Sequence, residues 1–117
     1  MGLLHGLGLE GGVLSAIHNG WRAESWVAEE LRKRGLAVFN GAPSEPFDLF
    51  SIDQLGQIEF WEVKSSRRGS PSDFVLTEAE RAFQAFCGVR GWPWHLVKLK
   101  TRPGGFTVVS PSDLRVG

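Results

Sequence analysis

The chain of 117 residues is short of several things, and each shortage excludes something. Its one cysteine, Cys87, allows neither an intrachain disulfide nor a cysteine-based zinc site. Cys87 falls in an apolar helical stretch and reads as a small core residue rather than a nucleophile. No apolar run approaches the roughly 20 residues that span a bilayer. The opening stretch MGLLHGLGLEGGVLSAIHNG has no basic segment and is broken by glycines, so it makes a poor secretory leader. An intracellular location, with no membrane partner, is the expectation. Net charge is missing too, because 13 Lys and Arg balance 13 Asp and Glu. That balance speaks against a generally basic, DNA-coating protein.

What is present fits one folded domain. With 42% hydrophobic and 22% charged residues, the chain can bury a single core. The zero charge conceals a polarity. Residues 1–62 hold four bases against nine acids, and residues 63–117 hold nine bases against four acids. The two halves therefore balance at −5 and +5. Acids gather in one part of the chain and bases in another.

Residues 1–19 are Gly-rich without steady periodicity and read as a flexible arm, leaving 20–117 as the domain. A helix is expected from an N-cap at Asn19 to a stop at Gly35, with Arg32, Lys33 and Arg34 favourable against its C-terminal dipole. Val27, Ala28 and Leu31 form its apolar stripe, and one turn back that stripe reaches Glu24. A carboxylate on the inward side of an amphipathic helix is costly unless something pairs with it. Leu36–Asn40, Phe47–Ile52 and Gln57–Ser65 read as strands, with Asp53–Gly56 as a hairpin turn. A basic loop over 67–72 leads to Thr77-Glu78-Ala79-Glu80, a capping box that opens a second helix. Ala79, Ala82, Phe83 and Phe86 are expected to form its one apolar face, ending near Gly91. Trp94–Lys100 and Gly105–Val109 close the domain as strands. The expected class is α/β, in the order α-β-β-β-α-β-β.

Four side chains stand out by placement. Asp48 lies among Phe47, Leu49, Phe50 and Ile52. Glu62 and Lys64, two apart on a strand, share a face while Trp61 and Val63 occupy the other. If those strands pair as a hairpin, Asp48 falls near Glu62, and Glu24 approaches from the covering helix. Carboxylates brought together repel unless a cation or protons neutralise them. Hard divalent ions take such oxygen ligands, and a nearby lysine stabilises developing phosphoryl charge. Taken singly, Glu62 and Lys64 read first as a solvated strand pair, and Asp48 as a strand-end turn former. Their conjunction with an inward Glu24 points to metal-assisted phosphodiester hydrolysis.

Pro46-Phe47-Asp48 followed by Glu62-Val63-Lys64 resembles the PD-(D/E)XK nuclease motif. More narrowly, the chain is similar to the archaeal-type Holliday junction resolvases. Gly20-x-x-Ala23-Glu24, then Val27, Leu31 and Gly35-Leu36-Ala37-Val38, resembles that family's opening helix and first strand. Gln84 to Phe86 and Leu96-Val97-Lys98 extend the likeness, which covers about residues 20–115. The resemblance implies a restriction-endonuclease-like domain, a mixed sheet of about five strands flanked by helices. It implies Glu24, Asp48 and Glu62 as ligands of Mg²⁺, with Mn²⁺ able to substitute, and Lys64 as the catalytic lysine. Ser44, in the loop before the Asp48 strand, matches a serine that the family uses, and also reads as an ordinary turn residue. Asn40 stands where the family often has an arginine. The implied activity is paired, symmetric nicking of four-way DNA junctions by a homodimer, leaving 5′-phosphate and 3′-hydroxyl ends.

The basic half then gains a use, with Arg22, Arg67, Arg68 and Lys98 as the candidate phosphate contacts. Such contacts read shape rather than sequence and weaken with salt. Two other readings remain open from the sequence: a repair or restriction-like nuclease acting on flap, nicked or duplex substrates, and an inert DNA-binding module. Of the five tryptophans, Trp26 and Trp61 read as core or subunit interface. Trp92 and Trp94 flank Pro93 as core or as an exposed patch. The three histidines have no ligand-like spacing and receive no role.

Overall fold

A computed structural model describes the backbone of residues 12–114 and the side chains of residues 22–114. Residues 1–11 of the expected arm lie outside the described residues. Helix α1 spans Gly12–Arg32, so it starts well before the expected cap at Asn19, which lies inside it. Val13, Leu14, Ala16 and Ile17 are compatible with helix. A single interior glycine, Gly20, costs about 1 kcal/mol against alanine, too little to end a helix this long. The C-terminus agrees with expectation. Gly35 takes a left-handed φ of 85°, its N–H bonds the Arg32 carbonyl at 2.9 Å, and the Leu36 N–H bonds the Leu31 carbonyl at 3.4 Å. That is a Schellman motif, and it turns the chain sharply into the first strand.

Strands β1 (Ala37–Asn40), β2 (Leu49–Ile52), β3 (Ile58–Ser66), β4 (Trp94–Arg102) and β5 (Gly105–Val108) form one sheet in that spatial order. All neighbours are antiparallel except β3 and β4, which run parallel. The parallel pair needs a crossover, supplied by a 3-10 turn at Pro71–Phe74 and helix α2 (Glu78–Arg90). The 3-10 turn falls where the sequence pattern indicates only a loop. The molecule is thus a mixed α/β domain with a five-stranded sheet flanked by helices.

Strand alternation divides the sheet into two unlike faces. Leu49, Trp61, Val97 and Leu99 project to one side and pack with Ala23, Val27, Ala28 and Leu31 of α1, together with Val38 and Leu114. Trp61 is core, and its indole N–H donates to Ser51 Oγ at 2.8 Å, satisfying the buried hydroxyl. The other face carries aromatics. Phe39, Phe50 and Phe60 are aligned across three strands, and Phe83 of α2 meets Phe60 and Phe47 at 5.1 and 5.5 Å between ring centres.

Helix α2 departs from its expected packing. Its capping box forms as expected at Thr77 and Glu80, and Gly91 closes it in a left-handed conformation. Its anticipated apolar face is not buried, however. Ala79, Ala82 and Phe86 are exposed, Phe83 is half-buried, and Cys87 is its buried side chain among the described residues. The rings of Phe47, Phe60 and Phe83 lie between helix and sheet, so the small alanines on either side never reach the sheet.

The two classes of apolar residue predict different mutational costs. Leu99→Ala, at a fully buried site, is expected to cost about 3 kcal/mol by reversible denaturation. Leu55→Ala, at a side chain 94% exposed in the β2–β3 turn, is expected to stay within about 0.5 kcal/mol. Equal costs would mean that the α1 face is not the stabilising core.

Candidate functional site

The site is built at the start of β2 and the middle of β3. Asp48 immediately precedes β2 rather than lying within it, and backbone pairing holds it on both sides. Its N–H bonds the Trp61 carbonyl at 3.2 Å, and its carbonyl accepts from Gly41 N–H at 2.9 Å. The loop from Gly41 to Asp48 is therefore clamped at its base. Gly41 is required there by space, since a Cβ would sit 2.5 Å from the Phe47 carbonyl oxygen. With its backbone fixed, Asp48 turns its side chain across to β3, where Oδ2 accepts the Val63 N–H at 2.8 Å.

Glu62 lies on the same sheet face and is only 5% exposed. Burial is the main cause that pushes its pKa well above the carboxylate range, and hydrogen bonding and charge repulsion from Asp48 and Glu80 add to it. The direction of that shift favours the protonated form of Glu62 beside the neighbouring carboxylates. Glu24, half-buried on α1, is pushed up to about 7 by burial and then by the charge of Asp48. Asp48 is thus the shared neighbour: its charge acts on Glu24 from one side and on Glu62 from the other.

Lys64 follows Glu62 on the same face, but its partner is none of the three predicted acids. Its ammonium pairs with Glu80 of α2, at 2.9 Å to Oε1 and 3.1 Å to Oε2, with both side chains only 18% exposed. Glu80 also accepts the Thr77 N–H at 2.7 Å as the second half of the capping box. Burial raises its pKa, but the Thr77 N–H, the Lys64 ammonium and Glu62 outweigh that and hold it below its ordinary value. Glu80 is the acid that reasoning from sequence missed. Its signal was the capping box, which assigned the carboxylate a local task and hid the remote one.

The remaining candidates are dispersed. Ser44 is exposed in the loop before Asp48. Arg22 is exposed, with its guanidinium 5.8 Å from the centre of the Phe106 ring. Arg67 is exposed beyond β3, and Arg68 is bonded to Asp73 at 2.7 Å while remaining 75% exposed. Asp73 is itself held by Ser66 Oγ at 2.6 Å, so this pair fixes the loop that follows β3. Lys98 stands beside Lys64 in the β3–β4 register and lines a cleft of about 950 Å³ with Gln84, Trp94, Leu96 and Ser112.

The donor chemistry suits a hard divalent cation: oxygen donors only, two of them with pKa values raised by burial and mutual repulsion. As the carboxyls stand, no three acid, histidine or cysteine side chains among the described residues form a ligating array. Asp48 and Glu62 are the two neighbouring carboxyls that could hold such an ion, and Glu24 is coupled to them through Asp48 alone. Among the described residues, no helix is long and apolar enough to cross a membrane. No protein-family model matches the chain, and comparison with curated proteins found no relative.

The raised carboxyls of Glu24 and Glu62 give stability a definite pH dependence. Glu24 and Glu62 bind protons more tightly folded than unfolded, so their contribution is full below the unfolded value of about 4.3. It is lost as pH rises through about 7 for Glu24 and higher still for Glu62. Glu80, held low, acts oppositely and loses its contribution as pH falls. The metal-free protein is expected to melt at progressively lower temperature between about pH 5 and 8, and Glu62→Gln should flatten that slope. A melting temperature that climbs over this range, or equal slopes in both proteins, would contradict the protonated Glu62.

Proposed function

We propose that the protein is a divalent-metal-dependent endodeoxyribonuclease of restriction-endonuclease-like fold, whose substrate is the four-way DNA junction. The observation that carries this reading is the buried Glu62, hydrogen-bonded to Asp48 and followed on the same face by Lys64. A solvated E-x-K pair would have no reason to be buried among other acids. The position of Glu24 on the preceding helix and the order of elements also favour the PD-(D/E)XK resemblance.

Asp48 and Glu62, with Glu24, are the residues that would hold Mg²⁺. When bound, the ion supplies charge neutralisation at the carboxylates and an acidified water. Lys64 donates hydrogen bonds to a non-bridging oxygen of the scissile phosphate and offsets the charge that develops there. Water adds to phosphorus in line, the bond from phosphorus to the 3′ oxygen breaks, and that oxygen leaves with a proton. The ends are a 5′-phosphate and a 3′-hydroxyl. Lys98, Arg67, Arg68 and Arg22 carry the flanking phosphates, a sequence-independent mode suited to reading shape.

Two symmetric nicks call for two sites related by a two-fold axis, and we assign that role to a homodimer. The exposed apolar strip through Phe86, Val89, Trp92, Ile58 and Leu55 is the surface that favours it. Phe86 and Trp92 are in ring contact at 5.7 Å, and Trp92 shares a groove with Ile58 and Leu55. Continuous exposed patches of this kind mark interaction sites.

The test is cleavage of matched junction, flap and linear duplex substrates with Mg²⁺ or with EDTA. Paired nicks in the junction, lost in EDTA, are expected; equal cutting of linear duplex would sink the junction assignment. Asp48→Asn is expected to bind junctions while losing cleavage by more than about 100-fold, beyond the cost of an outer-shell change. Sedimentation should show a dimer for the native chain and monomer for Val89→Asp, with paired nicks reduced to single ones. A native chain that sediments as monomer would remove the symmetric pair.

A further inference from the structure

We propose that Glu80 is a positioning residue for Lys64, so that the cap of α2 and the active lysine share one carboxylate. The inference rests on the nuclease reading for its purpose and on geometry for its substance. Lys64 extends from β3 and has four rotatable bonds to its ammonium, which in water would sample many positions. Here the ammonium is held at 2.9 and 3.1 Å from the two oxygens of Glu80, in a pair largely shielded from solvent. Glu80 cannot follow Lys64 freely, because Oε1 also accepts the Thr77 N–H at 2.7 Å while Thr77 Oγ1 accepts the Glu80 N–H at 3.1 Å. The carboxylate is therefore anchored to the first turn of a helix. An ammonium has three N–H donors, so this pairing leaves donor capacity for a phosphate oxygen. A tether that fixes direction while sparing a donor is what orients a catalytic group.

The two tasks of Glu80 separate by substitution. Glutamine at a capping-box third position still accepts the N-cap N–H. It has one acceptor oxygen, however, and offers an amide NH₂ where the ammonium needs a second oxygen. Glu80→Gln should thus keep the helix end and release Lys64. Thr77→Ala should do the reverse, lowering the melting temperature by about 4 °C while leaving the Lys64 pair in place.

The experiment compares the native chain, Glu80→Gln and Thr77→Ala by acylation with a succinimidyl ester, read at each lysine by mass spectrometry. Lys98 and Lys100 serve as internal references. Lys64 is expected to label about fivefold faster in Glu80→Gln and at the native rate in Thr77→Ala, as loss of a partly shielded ion pair implies. Unchanged labelling in Glu80→Gln overturns the proposal, and so does equal acceleration in Thr77→Ala. This readout needs no DNA, so it is unaffected if the nuclease reading fails. On junction DNA, Glu80→Gln is expected to lower kcat by about 10- to 100-fold with KM unchanged, the size that small misplacement of a reacting group produces. A change confined to KM would also overturn it.

Discussion

A carboxyl group buried on a β-strand must be paired or protonated, and Glu62 imposes that demand on everything near it. An isolated charge in that position would cost several kcal/mol or more. Here the protonated form is favoured and the neighbours are acids, which is tolerable only if those neighbours are themselves well held. They are. Asp48 is fixed by the clamp at Gly41, by the Trp61 carbonyl and by the Val63 N–H. Glu80 is fixed by Thr77 and Lys64. A closed hairpin base and a capped helix therefore form part of the electrostatics of one side chain.

The sheet serves this arrangement by keeping its faces unlike. Trp61, Val97, Leu99 and Leu49 bury their surface against α1, and the fold draws its stability from there. The opposite face is freed from that task and carries Glu62, Lys64, Lys98 and a group of aromatic rings, while Glu24 approaches from α1. The charge distribution follows the same division. A formal charge of zero arises from an acidic first half and a basic second half. The first half contributes Glu24, Asp48 and Glu62 to the cluster. The second contributes Lys64 within it and Lys98 and Arg67 around it. Zero describes the sum and hides the field.

Much of this was legible in the sequence because strand alternation and helical periodicity report which way a side chain faces. Glu24 extends the Val27–Ala28–Leu31 stripe, and Glu62 and Lys64 share a face by the period of two. What was not legible depended on contacts between elements. Asn19 looks like a cap locally, yet the helix continues through it from Gly12. Ala79, Ala82 and Phe86 look like a packing face, but intervening rings hold α2 off the sheet. Arg68 looks free, and its bond to Asp73 appears only when the 3-10 turn brings that acid back.

Glu80 shows why a strand motif underspecifies such a site. Two residues along a strand separate Glu62 and Lys64 by roughly 6.6 Å at the backbone, so a shared face alone does not make them partners. A group approaching from outside the strand can meet both. Glu80 does so, accepting from Lys64 while its charge acts on Glu62, because the cap sets the first turn of α2 above β3. The N-terminal end of a helix is also the end where negative charge is favoured, which makes a capping carboxylate an economical choice for the role. The helix that closes the parallel crossover thereby settles where the lysine of the preceding strand points. A change in the Pro71–Phe74 turn that displaced the first turn of α2 as a unit would act on Lys64 without touching it.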